Sequence, residues 1–293
     1  MAIRTMRRFL TFLTLLVLPW QAAATDLPKI VSLNMCADAY LMAIAAPEQI
    51  LALSYLSRDA ALSPFHERAA TLPVTHGGLE EILALKPQLV IVSPYSSAMK
   101  QQVLQSHGIE IVSLAASTDF AEAGDEILAL GSAIGRSTQA AAYWRNLQRQ
   151  LADARHADQD KTLLPLQRRG LTIGDNHILA QVMRFAGAAR PQVSHQVTQQ
   201  DNKQNTERAD DFSPFNLEQA IASKADGLLL TEPTGQPADR GIEFLAHPAL
   251  ARRFPESQRI YLPSNLVTCS GAATPLAVAQ LAAALAHVPK QSD

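Results

Sequence analysis

The sequence has 293 residues, 47% of them hydrophobic, with 25 basic and 27 acidic side chains and only two cysteines. A chain this close to neutrality, with no basic run, gives a phosphate backbone nothing to hold, so nucleic acid is excluded as a partner. Two cysteines exclude a disulfide-dense scaffold, and the length suits two domains of ordinary size.

At the N-terminus Arg4, Arg7 and Arg8 precede the apolar run FLTFLTLLVLPW, which ends in QAAAT. This is the layout of a secretory signal peptide over residues 1–24, with Ala22 and Ala24 marking cleavage before Thr25. Its apolar core falls short of the roughly 20 residues of a membrane span. No cysteine stands at the cleavage point, so no lipid anchor is expected, and the mature chain, relieved of three arginines, is acidic. From there short apolar runs alternate with helical patterns: KIVSL then ADAYLMAIA, ILALS, LEEILALK then LVIVS, QQVLQSHG then EIVSL. Strand and helix by turns predict an α/β unit with a mostly parallel sheet, its strands unbroken in Val, Ile and Leu because helices cover both faces.

Residues 137–158 differ, with Ala140, Trp144, Leu147, Leu151 and Ala154 spaced by four and three in turn, and predict one long amphipathic helix. The earlier alternation then resumes in RGLTIG, HILAQVMRFAG, LEQAIASK, GLLLT, a helix around IEFLAHPAL, RIYLP and TPLAVAQLAAALAHV. The chain thus reads as an N-terminal lobe (25–136), a connecting helix (137–158) and a C-terminal lobe (159–293). One helix-to-strand phrase is written twice, LEEILALKPQLVIV at 79–92 and LEQAIASKADGLLL at 217–230. The segment Ser194–Phe212 is polar and aperiodic, and reads as a surface loop.

In an open α/β sheet, ligands sit beyond the carboxyl ends of the strands. The loops there offer Asn34, Met35 and Cys36; Tyr55 and Arg58; Tyr95; Asp175, Asn176 and His177; Thr231 and Glu232; Asn265 and Cys269. Any of these can equally be a turn or cap residue, Asp175 and Asn176 most obviously. Tyr55, Tyr95 and Arg58 are the stronger candidates, because aromatic faces and a guanidinium fork suit a flat macrocycle or an anionic chelate. Cys36 and Cys269 leave three readings open: a bridge between the lobes, a pair of thiols for a soft metal, or two unrelated small hydrophobes. Glu80 and Glu218 open the repeated helices, where a carboxylate offsets the macrodipole by roughly 0.3 to 1 kcal/mol. The eight histidines are scattered without metal-ligand spacing, and no G-x-S-x-G, GxxxxGK[ST] or GxGxxG follows a strand, so neither a bare metal site nor an enzyme is expected.

KIVSLNMCADAYLMAIA, GLEEILALKPQLVIV, RGLTIGDNHILAQVMRFAGA and YLPSNLVTCSGAATPLAVAQLAAAL, in that order, resemble the Fe/cobalamin type of periplasmic substrate-binding protein, the soluble receptor of ABC importers for siderophores, haem and corrinoids. The resemblance covers nearly all the mature chain and implies two lobes that close little on a ligand, joined by a single long helix. It implies a periplasmic monomer without cofactor or catalytic residue, partnered by an inner-membrane ABC permease and its ATPase. It also implies a metal chelate as cargo, a ferric siderophore or a cobalamin-like corrinoid, with haem or a free divalent ion as alternatives. In that family one exposed glutamate on each lobe engages arginines of the transporter, and the matching positions are Glu80 and Glu218. The chain departs from the family in its polar loop from Ser194, where a shorter stretch is usual, and in lacking a counterpart of Pro87 in the second copy of the phrase. Trp144, the one tryptophan of the mature chain, stands on the connecting helix, which leans the reading toward a siderophore.

Overall fold

A computed structural model describes residues 27–115, 117–155, 160–191, 212–231 and 242–290. The expected signal peptide, Glu232 and all of the polar segment Ser194–Phe212 but its last residue lie outside the described residues.

The first part of the chain runs β1 (Ile30–Ser32), α1 (Met35–Ile44), β2 (Ile50–Ser54), α2 (His66–Ala70), β3 (Val74–Thr75), α3 (Leu79–Leu85), β4 (Leu89–Val92), α4 (Ala98–Ser106) and β5 (Glu110–Ser113). Its five strands form one wholly parallel sheet in the order β3-β2-β1-β4-β5. All four residues of β4 are buried, as a strand covered on both faces requires. After α5 (Phe120–Ala133) and α6 (Ser137–Ala154) come β6 (Lys161–Pro165), β7 (Leu171–Ile173), α7 (Ile178–Phe185), β8 (Ala188–Ala189), β9 (Phe212–Pro214), α8 (Leu217–Ala222), β10 (Gly227–Leu230), α9 (Pro248–Arg253), β11 (Arg259–Tyr261) and α10 (Thr274–His287). A second parallel sheet has the order β11-β10-β6-β8, and β7 pairs antiparallel with β9 beside it. Two separate parallel sheets flanked by helices are the α/β architecture expected from the sequence.

Three details differ from that expectation. RGLTIG does not begin the second sheet: KTLLP does, as β6 between β10 and β8, while RGLTIG becomes half of the antiparallel pair. Proline within an apolar run argues against a strand, but Pro165 is the last residue of β6, and the ladder continues through Leu166 N–H to the Leu229 carbonyl. IEFLAHPAL is turn until Pro248, which opens α9 behind a His247 cap, as proline at a first helical position does. The connecting helix ends at Ala154, with Arg155 already extended.

The repeated phrase folds alike in both places, a short helix running into a buried parallel strand, though its joints differ. α8 starts with a reciprocal Asn216–Gln219 capping box, whereas α3 starts from Gly78 without a side-chain cap. α3 ends with Lys86 left-handed at φ 50°, immediately before Pro87, while Ser223 leaves α8 in extended conformation.

The helices place the two sheets together. α5 and α6 pack at very close range: a Cβ on Gly131 would stand 2.2 Å from the Ala140 Cβ, and one on Gly124 would stand 2.4 Å from the Trp144 ring. Glycine at these two positions of α5, one heptad apart, makes the groove that receives α6. A single apolar cluster then runs from Ile30 and Leu89 of the first sheet, through Ile127 and Leu147, to Leu163, Leu229 and Leu281 of the second part. The far face of each sheet has its own smaller cluster, Val31, Val90 and Leu104 in one and Leu164, Leu228 and Phe254 in the other.

Candidate functional site: the seam between two sheets

The loops at the carboxyl ends of the two sheets meet. Asn34 follows β1 and caps α1, its Oδ1 accepting from the amides of Cys36 and Ala37 at 3.0 and 3.3 Å, while its Nδ2 donates to the Leu114 carbonyl at 3.0 Å. This puts Cys36 at the start of α1, where it is bridged to Cys269 across a Cα separation of 5.5 Å. One turn on, the Tyr40 hydroxyl donates to the Ser270 carbonyl at 3.0 Å, and Gly271 at φ 84° brings backbone so near that a Cβ would lie 2.6 Å from that hydroxyl. Asn265 Nδ2 donates to the Ala60 carbonyl at 2.8 Å. On another side of the seam Gln181 of α7 accepts from the Phe120 amide at 2.7 Å and donates to Asp119.

Beneath this seam lies Asp38, fully buried on α1. It accepts from the Ser54 amide at 3.0 Å and from the Ser57 hydroxyl, while Oδ1 has no protein partner. Burial pushes its carboxyl up from 3.8 to about 7, against hydrogen bonds from Ser32, Ser57 and Ser54 that favour the ionised form. Asp38 thereby ties the loop after β2, which carries Tyr55, to the helix that carries the disulfide.

The site residues expected from sequence fall into three groups. Tyr55 and Tyr95 present large aromatic faces, 46% and 82% exposed, and Tyr55 stacks on His76 with ring centroids 4.8 Å apart. Met35, Asn265 and Cys269 line a narrow crevice at the seam together with Leu62 and Phe65. The others, Asn176 apart, are occupied by the protein. Asn34 is a buried cap, as above. Arg58 turns back on α2, its Nε donating to the Ala69 carbonyl at 3.4 Å and its Nη2 to that of Leu72, so it closes a helix end instead of facing cargo. Asp175 pairs with Arg190, and His177 caps α7. Thr231 donates to Gln167 Oε1 at 2.8 Å. Asn176 is exposed on the turn beside Asp175. For Cys36 and Cys269 the bridge is the reading realised, and it corrects the reading of the pair as thiols for a soft metal: disulfide sulfurs offer no thiolate.

Tyr40, Gln181, His76 and Asp38 escaped the sequence reading. The first three look like ordinary helix or loop residues. Asp38 carried a signal, a lone carboxylate inside the otherwise apolar stretch CADAYLMAIA.

Glu80 and Glu218 lie exposed in the first turns of α3 and α8, helices that flank different sheets, and neither carboxylate is bonded to another described residue. Among the described residues no group of three or more His, Cys, Asp or Glu could hold a metal ion.

Two parallel sheets whose strand ends meet across a seam, with no cluster of His, Cys, Asp and Glu among the described residues, make a two-lobed α/β architecture. The family model described as periplasmic binding protein matches residues 30–260, and the chain belongs to that family, a class of substrate-binding proteins of ABC transport and not of enzymes. Its place is accordingly the periplasm. Solved structures share the fold at low identity. The periplasmic heme-binding protein HutB of Vibrio cholerae is 17% identical, with a TM-score of 0.67 over 88% of this chain and 98% of that one. The periplasmic heme-binding protein RhuT from Roseiflexus sp. RS-1 is 21% identical, with a TM-score of 0.62 over 88% and 97%. The periplasmic vitamin B12 binding protein BtuF of Vibrio cholerae is 19% identical, with a TM-score of 0.55 over 90% and 98%. No curated protein sequence matches the chain.

Proposed function

We propose that this protein captures a metal chelate, a ferric siderophore or a cobalamin-like corrinoid, where the strand-end loops of its two sheets meet, and delivers it to an inner-membrane permease. The observation that carries this reading is the pair of exposed rings, Tyr55 and Tyr95, on loops following β2 and β4 of one sheet. Aromatic side chains of this size at the surface suit a flat, amphipathic ligand. Haem is the second reading: HutB and RhuT are described as heme-binding, and tyrosine is one of the side chains that hold haem iron. Glu80 and Glu218 serve as the two docking points for the transporter, and the receptor acts as a monomer released by cleavage before Thr25.

The test is a thermal-shift series on the purified exported protein with cobalamin, haemin and a panel of ferric chelates. A true ligand at 100 times its dissociation constant adds roughly 2.7 kcal/mol to stability. Replacing Tyr55 and Tyr95 by alanine abolishes that shift, whereas replacing Arg58 leaves it in place. A panel without any shift, or a shift indifferent to both tyrosines, refutes the assignment.

A further inference from the structure

A cavity of about 260 Å3 opens on the connecting-helix side of the seam, between α1, α2, α6 and the start of α10. Neither exposed tyrosine lines it, and it shares with the seam crevice Ala39, Phe65 and Ala272. Its apolar wall is made by Met42, Phe65, Leu147 and Leu276, the last of which leaves 49% of its surface in water. Polar groups come from Arg68, Tyr143, Asn146 and Gln150, and no carboxylate is among the lining side chains.

Arg68 is oriented by donating Nη2 to the Met42 carbonyl at the end of α1. A guanidinium has five N–H donors, so this bond orients the group without using it up. Its charge acts on Tyr143, whose phenol burial pushes up to about 12, so that hydroxyl is a neutral donor at any ordinary pH. The cavity therefore pairs a greasy wall with one fixed cation, a phenol and two carboxamides. That set rejects cations, which find no anion, and fully polar solutes, which cannot cover Leu276 and Phe65. The volume is below the roughly 300–1,000 Å3 of drug-sized pockets, which suits a short chain and not a macrocycle.

We propose that this cavity is a second binding site, for a small amphipathic anion of the medium-chain carboxylate class, with its chain on Phe65, Leu147 and Leu276 and its head on Arg68 and the two carboxamides. The walls come from α1 and α2, from the connecting helix α6 and from Ala272 and Leu276 beside the second sheet, so an occupant touches helices from both halves of the chain. The inference stands whether or not the cargo assignment does, since its test needs no chelate.

The experiment is calorimetric titration of the disulfide-intact protein with octanoate, octanol and octylammonium. Octanoate binds saturably; octanol, lacking the charge-assisted bond, binds roughly tenfold more weakly, and octylammonium does not bind. Arg68→Gln brings octanoate down to the level of octanol. Leu276→Glu, at a half-exposed position that tolerates a polar side chain, abolishes octanoate binding with the melting temperature unchanged. Equal binding of octanoate and octylammonium, or an octanoate affinity unmoved by both substitutions, overturns the proposal.

Discussion

Asp38 is a carboxylic acid that burial carries far from its ordinary state. Its carboxyl sits near 7 in the folded chain against 3.8 unperturbed, so the native state holds the proton more tightly than the unfolded state does. The sign follows from linkage: the stability this group contributes is complete below its unfolded value and is lost as pH rises through the folded one. Asp38→Asn removes the ionisation while keeping an acceptor for Ser54 and Ser57. Urea denaturation of both proteins between pH 4 and 8 is expected to show wild type losing ground to the variant as pH rises. Parallel pH profiles would mean the carboxyl is solvated in a way its burial does not suggest. Residue identities alone were a poor guide here. Asn34, Arg58 and Asp175 stand at strand ends, where cargo is met, yet backbone carbonyls, helix amides and Arg190 claim them first. A polar side chain in a loop satisfies its nearest backbone before it can serve a ligand, and sequence does not say how near that backbone is.

Among elements, the α5–α6 pair decides how the two halves meet. Its contact depends on Gly124 and Gly131 lacking side chains, because Trp144 and Ala140 already occupy the space a Cβ would need. Gly131→Ala, favourable for helix propensity alone, is therefore expected to destabilise by roughly 1–3 kcal/mol through overpacking. A lower melting temperature confirms this, and an unchanged or raised one would show the helices can part without cost. Element types were legible in the sequence, since unbroken apolar runs and the four-three spacing of Ala140, Trp144, Leu147 and Leu151 each report a periodicity. The second sheet was less so. β6 hides behind its terminal proline, and β7, which reads as a parallel strand, pairs antiparallel with a partner of three residues. Strand direction is set by the partner, which no local pattern records.

For the whole molecule, the repeated phrase puts an exposed glutamate on a helix beside each sheet, and the proposed docking role asks that these charges steer association with a symmetric partner. The double substitution Glu80→Arg and Glu218→Arg is expected to abolish transport while leaving chelate affinity within error, measured by uptake in cells and titration of the purified protein. Uptake at the wild-type rate would end the docking assignment. Cys36–Cys269 is the other long-range feature. It closes a sequence separation of 233 residues, for which the chain-entropy argument gives stabilisation of roughly 5 kcal/mol at most.

That covalent rivet, with Tyr40 bonded to Ser270 next to it and an apolar interior common to both halves, has a bearing on signalling. Receptors that clap shut announce a full load through their outline. With its halves tied in this way, this one is expected to keep nearly the same outline, so small-angle scattering profiles of the empty and loaded forms should superimpose, and a contraction on loading would show the rivet does not hold. A membrane machine that must tell full from empty is then left to inspect the cargo's own uncovered face.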